Sequence, residues 1–375
     1  MELVYCIFAM NKFVKIDWAM FVSVFLLLGL GLLALYGLSL GDQNAGAVNF
    51  KKQLVSCCLG IVLMFFLAYY DYRVLGSYST KMYFGISILL ALVIFFGKTV
   101  RGTTGWIGLG TLRFQPVEIV KLVMVIFLAS FLSQKKTQLS IAVRTIASII
   151  LVFIPVFLIL RQPDFGSAAI IVGVWAVMLS VCGLDRKNLA VLFFIFFISA
   201  ASGWLLIKDY QKERILNFVD PGRNPRGSGY NAIQSMVAVG SGQLFGKGFG
   251  HGSQSQLNFL PEKHTDFIFA VISEEMGFFG SAIIFILFGF LFYRMKETAR
   301  LARDNLGYLI TVGVMTMIFL QMFINIGMNV GIMPVAGVPL PLLSYGGSSL
   351  VVTLAALGIV QNIYSKRTKD IRQLD

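Results

Sequence analysis

Stretches of about 20 apolar residues, the length that crosses about 30 Å of hydrocarbon as a helix, recur from one end of the chain to the other. They predict ten spans, at roughly 17 to 40, 53 to 70, 82 to 97, 116 to 133, 140 to 160, 167 to 184, 189 to 207, 266 to 293, 308 to 331 and 340 to 364. Alternating ten-residue strand patterns are absent, which leaves an all-α polytopic membrane helix bundle and excludes a barrel. Residues 1–375 read as one transmembrane domain, with a single long loop, residues 208–265, between the seventh and eighth spans. Glycine clusters in that loop, Gly227-Ser228-Gly229, Gly240-Ser241-Gly242 and Gly246-Lys247-Gly248-Phe249-Gly250, mix with apolar residues, so it is expected to be ordered and to rest on or re-enter the membrane. A second polar loop, Lys98 to Gln115, is expected on the same side.

Composition agrees: 57% of the 375 residues are hydrophobic and 13% charged, against roughly 25% charged in soluble domains. The net charge of +13 comes from basic residues scattered between spans, which argues against nucleic acid as a partner and for membrane orientation and anionic lipid. Counted over short loops, Lys and Arg gather on the side of Lys12, Arg73, Lys135, Arg186, Arg300 and Lys366, so both termini are expected in the cytoplasm and residues 208–265 outside. The first span follows a basic stretch, as in a signal peptide, but its apolar core is too long and no cleavage site is evident. It is expected to remain as a helix. Cys6, Cys57, Cys58 and Cys182 show no metal-ligand spacing and read as buried packing residues. Two histidines, His251 and His264, are too few for a histidine-rich metal centre. Carboxylates alone can hold Mg or Mn weakly through water, so the pattern contains no dedicated metal motif and leaves a metal requirement open.

Ionisable groups within a bilayer cost about 2.5 to 3.5 kcal/mol each on insertion scales, so each asks for a partner or a task. In Arg113-Phe114-Gln115-Pro116-Val117-Glu118-Ile119-Val120-Lys121 the proline suits a first helical turn, and Glu118 and Lys121 share a helix face. They can form an anchoring ion pair, or Lys121, with Arg113 a turn before the helix, can meet an anionic substrate. In Arg161-Gln162-Pro163-Asp164-Phe165-Gly166-Ser167 the aspartate can cap the sixth span or serve a ligand. Lys263-His264-Thr265-Asp266 runs straight into the eighth span, putting Asp266 where water meets lipid. Glu274 and Glu275 fall about 12 Å deeper, so at least one must face the interior. Gln321, Asn325 and Asn329 form one polar stripe on the ninth span, suited to packing first and substrate lining second.

These residues sit in longer pieces: RFQPVEIVK at 113–121, RQPDFGS at 161–167, GYNAIQSMVAVGSG at 229–242, GKGFGHGSQSQLNFLPEKHTDFIFAVISEE at 246–275 and GVPLPLLSYGGSS at 337–349. In this order, over essentially the full length, the chain resembles the SEDS family, nearer its RodA branch than its cell-division branch. It departs at Val117, Gln243 and Met276, none of them ionisable. The resemblance implies a ten-span glycosyltransferase of the bacterial inner membrane that polymerises lipid II on the outer face. It also implies a class B penicillin-binding protein as transpeptidase partner, among other proteins of the elongation machinery.

Lipid II chemistry asks for cations at the diphosphate and a carboxylate beside the acceptor hydroxyl. Arg113, Lys121 and Arg214 are candidate diphosphate partners and Asp266 the candidate catalytic base. Glu118, Asp164, Lys263, His264 and Glu275 complete the candidate substrate-binding set. A lipid II flippase would also explain interior carboxylates and polar helices, and a non-catalytic scaffold is a third reading. Gathering of the charged motifs on the outer side, instead of at a midplane site in paired broken helices, favours the polymerase.

Overall fold

A computed structural model describes residues 16–41, 45–100, 103–109, 112–134, 141–183, 209–220, 228–257, 259–260 and 262–367. Its membrane bundle is built from α1 (Trp18–Gly41), α2 (Ala45–Tyr69), α3 (Tyr72–Phe96), α4 (Pro116–Ser133), α5 (Ile141–Arg161) and α6 (Phe165–Val181). After α7 (Asp209–Val219), α8 (Ser228–Ser241) and the one-turn α9 (Ser253–Gln256), it is completed by α10 (Ile268–Arg300), α11 (Asn305–Asn329) and α12 (Gly347–Ser365). Among the described residues eight helices are long and apolar enough to cross a membrane, and α6 is a shorter apolar helix. The all-α bundle is therefore observed. The expected span at 189–207 lies outside the described residues, as does Cys6.

Several helices outrun their apolar stretches, α2 beginning at Ala45 and α10 running to Arg300. Backbone hydrogen bonding continues a helix into the polar interface, where the hydropathy signal has already faded. Burial sorts the bundle into layers: 78% of the apolar window of α4, α11 and α12 is enclosed, against 28% for α2, α3, α5 and α10. The inner three carry the polar stripes, and the outer ones present Phe95, Phe96, Ile146 and Ile286 as lipid-facing side chains. Cys57 is buried as expected, but its neighbour Cys58 is turned outward by the helical periodicity that buries Cys57, and Cys182, at the end of α6, is also exposed.

One end of the bundle is tied by Arg294 to Asp17 at 2.8 Å, Gln361 to the Asp17 backbone, and Tyr72 and Arg73 to Asp304. The opposite end carries the loops of interest. Between α3 and α4 the segment expected as a loop is a small antiparallel sheet, β1 (Lys98–Val100), β2 (Thr103–Leu109) and β3 (Leu112–Phe114), in the order β1-β2-β3. Its strands are too short to register against the apolar pattern. Arg113 sits in the last of these strands, opposite Gly108 and just before α4 begins.

The eighth predicted span is broken. At Gly277, φ 65° and ψ −155°, α10 leaves helical geometry, which strands amides on one side and carbonyls on the other. The glycine-rich segment after α8 fills the break. The Phe278 and Phe279 amides donate to Gln243 and Leu244 carbonyls at 2.8 and 3.3 Å, and the Lys247 and Gly248 amides donate to Glu274 and Glu275 carbonyls at 3.0 and 3.1 Å. A Cβ on Gly246 would lie 2.1 Å from the Glu275 carbonyl oxygen. That contact is why this clasp is written in glycine.

Candidate functional site

The site is organised by residues 262–267, a run of turns leading into α10. Asp266 is half-buried, and its backbone carbonyl accepts from Asn325 Nδ2 at 2.9 Å and Asn329 Nδ2 at 3.0 Å. Asn329 Oδ1 in turn accepts from the Ala270 amide at 3.2 Å, in the first turn of α10. Phe267 occupies the cap position of that helix with no side-chain cap of its own. Asn329, on another helix, thus supplies the side-chain cap that the start of α10 lacks. Asp266 Oδ2 lies 3.8 Å from where a Cβ on Gly337 would stand, so its carboxylate faces the glycine that opens Gly337-Val338-Pro339-Leu340-Pro341.

That segment joins the other charged groups to Asp266. The Ser344 hydroxyl donates to the Thr265 carbonyl at 2.6 Å, the Tyr345 amide to the His264 carbonyl at 2.8 Å, and Asn325 Nδ2 also to Val338 O at 2.7 Å. From its far side, the Gln115 amide donates to the Ser348 hydroxyl at 3.1 Å, and Val338 packs where Gly166 leaves room for it. Gln53, buried on α2, clasps the same turn by donating to Ser344 O at 3.0 Å and accepting from the Gly346 amide at 3.2 Å. Nothing in the local sequence marked Gln53. It directly follows Lys51-Lys52 at the polar start of the second span, where an amide is unremarked.

Glu118 and Lys121 form the ion pair their spacing allowed, 2.8 Å apart with both side chains buried. Asp164 caps α6, accepting from the Ser167 amide at 3.0 Å and hydroxyl at 2.9 Å. Burial pushes its carboxyl above the ordinary value, opposed by the Ser167 amide and by Lys121, with Glu118 adding to the rise, so these three charges form one electrostatic group.

Both carboxylates of the Glu274-Glu275 pair face inward, where one was required. Glu274 receives Lys247 Nζ at 2.9 Å and the Gln254 and Ser255 amides at 2.9 and 3.0 Å, holding α9 and the clasp together. Glu275 is buried against Gly37 of α1. Lys263 is buried and donates to the Ser255 carbonyl at 2.6 Å, so its ammonium serves the same clasp. The structure therefore brings Asp266, the Glu118, Lys121 and Asp164 group, and the Glu274-Glu275 clasp to one end of the bundle. For Arg113 and Arg214 the backbones fall in β3 and α7, and their side chains lie outside the described residues.

A family model described as cell cycle protein, covering FtsW, RodA and SpoVE, matches residues 17–369. The chain belongs to this FtsW/RodA/SpoVE family. It is 38% identical to the peptidoglycan glycosyltransferase MrdB of Escherichia coli K12 over 356 residues, 94% of this chain and 95% of that one. It is 31% identical to the peptidoglycan glycosyltransferase RodA of Treponema pallidum, covering 94% of this chain and 98% of that one. Among solved structures, it superposes on the rod-shape-determining protein RodA of Thermus thermophilus with a TM-score of 0.70 at 30% identity, covering 95% and 98% of the two chains. A chain of a peptidoglycan synthase complex that coordinates polymerization and crosslinking gives a TM-score of 0.80 at 32% identity, covering 95% and 99%.

Within this family frame the geometry supplies a carboxylate at a membrane boundary, held by its backbone and not by its side chain's own capping, with a buried charge cluster joined to it through the 337–349 segment. Such an arrangement suits proton abstraction from a polar headgroup group resting at that end. Among the described residues no three His, Cys, Asp or Glu side chains are grouped closely enough to hold a metal ion.

Proposed function

We propose that the chain is a peptidoglycan glycosyltransferase that polymerises lipid II at the end of the bundle carrying Asp266, on the outer face of the bacterial inner membrane. Both termini then lie in the cytoplasm, residues 208–265 form the large outer loop, and a class B penicillin-binding protein cross-links the product. The observation that carries the reading is the placing of Asp266: its carbonyl is fixed by Asn325 and Asn329 while its half-buried carboxylate faces Gly337.

In this reading Asp266 takes the proton from the acceptor sugar's 4-hydroxyl as that oxygen attacks the donor's anomeric carbon. The bond to the lipid diphosphate breaks, and the diphosphate leaves with the electron pair. Arg113 and Arg214 are the proposed diphosphate partners, since an arginine fork matches phosphate oxygens and needs no second acid once the charge is held. Lys121 has a different task, binding Glu118 and steadying Asp164 behind the site. Lys263 and His264 tie down the segment on which Asp266 stands, through Ser255 and Tyr345, and Glu275 backs the break in α10.

A flippase reading would draw on the broken helix at Gly277, because broken helices with free backbone groups line translocation sites. Here the groups at the break are hydrogen-bonded by the protein's own clasp, which favours the polymerase. The deciding experiment supplies labelled lipid II to the purified protein, alone and with its transpeptidase partner, and looks for glycan strands. Transfer of lipid II across vesicles without strand formation under either condition would reject the proposal.

A further inference from the structure

The small sheet beside the Asp266 end carries Trp106 at the middle of its central strand, β2. Side chains alternate across a strand, and the preceding Gly105 is buried against the bundle, where a Cβ would stand 3.0 Å from Gln162 Oε1. Trp106 is therefore directed to the opposite face of the sheet, and its side chain is half-buried. The indole Nε1 donates to Thr103 Oγ1 at 3.3 Å, which engages the one polar atom of the ring and fixes its edge. The base beneath is firm, since Gln162 Nε2 donates to the Leu90 carbonyl at 3.0 Å. Sheet and site are joined through Gln115, which follows β3: its amide donates to the Ser348 hydroxyl at 3.1 Å and its Nε2 to Asp164 Oδ2 at 3.4 Å.

This face of the sheet belongs in water. An open three-stranded sheet has two edges of unpaired backbone groups, which hydrocarbon does not tolerate. Trp106 pairs with Lys98, and Gly108 with Arg113; directly opposed residues share a face, so the register places two basic positions on the Trp106 face. A flat apolar ring with its polar edge engaged, presented to water, matches a pyranose, whose axial C–H bonds make an apolar face and whose hydroxyls stay at the rim. We infer that Trp106 is a stacking platform for a pyranose ring of the glycan strand made at the Asp266 end, a subsite that rests on the polymerase reading. The strand is the occupant, and not the lipid-linked precursor, because it extends from the membrane into the water that this face meets.

The full-length protein in detergent is titrated with chitotetraose, a soluble chain of β-linked N-acetylglucosamine, read once by tryptophan emission and once by anisotropy of a fluorescent form of the sugar. Neither reading needs turnover, so failure of the polymerase reading and failure of this subsite are separately visible. Chitotetraose should shift the emission of the unaltered protein, and the shift should vanish in Trp106→Phe, which keeps an aromatic face and binds the labelled sugar within about threefold of the unaltered protein. Trp106→Ala should weaken that binding about tenfold. Equal binding by a folded Trp106→Ala protein would overturn the inference. If that variant does not fold, the emission decides, and a shift that is absent, or that persists in Trp106→Phe, overturns it as well. An emission shift with lipid II and none with chitotetraose would reject the strand as occupant. In vesicles carrying brominated phosphatidylcholine, quenching of the Trp106 emission without any response to the sugar would make the ring a membrane-interface anchor instead.

Discussion

At the scale of single residues, the proposed base Asp266 and the buried Glu118 and Lys121 pair each make a distinct prediction. Because Asn329 caps α10, replacing the aspartate with asparagine removes a proton acceptor and leaves the helix start intact. Asp266→Asn should lower the rate of lipid II polymerisation by on the order of 10² to 10⁴ or more, with an unchanged unfolding midpoint. Normal polymerisation by a well-folded variant would remove Asp266 from the mechanism. The Glu118 and Lys121 pair is a different case, since both ends are buried. Removing one partner leaves a charge in an apolar surround, at a cost of about 3–5 kcal/mol, whereas removing both with apolar replacements of similar size is far milder. Glu118→Met and Lys121→Met should each lower the thermal unfolding midpoint in detergent, and the double variant should regain at least half of the loss. Additive losses would show that the pair is not coupled.

Among the elements, the break in α10 and its clasp explain what the glycine clusters are for. A helix interrupted inside a bundle is tolerated only where its loose amides and carbonyls find partners, and residues 243–248 supply them. The approach is so close that a methyl group at Gly246 must displace the backbone of Glu275, and its φ of 80° adds strain for any side chain. Gly246→Ala is therefore expected to cost at least about 1–3 kcal/mol, measured as a lower unfolding midpoint together with faster proteolysis in residues 242–250. Gly240→Ala is the control, because a Cβ there meets nothing within 4 Å. Equal behaviour of the two variants would mean that the clasp does not hold the break.

For the whole molecule, the alternating helices put Asp17, Asp71, Asp304 and Lys366 at one end and residues 98–100, 103–109, 112–115, 262–267 and 337–346 at the other. In the proposed orientation, which rests on the charge asymmetry of the short loops, the basic end faces the cytoplasm. Single cysteines at Ser228 and Ser365, treated in whole cells with an impermeant maleimide, report the orientation. Labelling at position 228 and not at 365 is expected, and the reverse pattern would invert the molecule and move Asp266 to the wrong face for its proposed substrate.

The sequence alone determined that the chain is a bundle of apolar helices, because bilayer thickness dictates a run length and apolar runs of that length recur along the chain. It also offered the Glu118 and Lys121 pair and the Asp164 cap as one of two readings each, since both depend on spacing within a turn or two of helix, and the structure shows the pair and the cap formed. The tertiary structure decided what depends on distant parts of the chain. Asn329 holds the Asp266 carbonyl from 63 residues away, Gln53 clasps Ser344 from 291 residues away, and the break at Gly277 is readable only once residues 243–248 are seen lying in it. Hydropathy records how each residue meets lipid, but it carries no information about which polar groups meet one another. Those pairings are set by helix packing, and they turn a line of costly polar residues into a site.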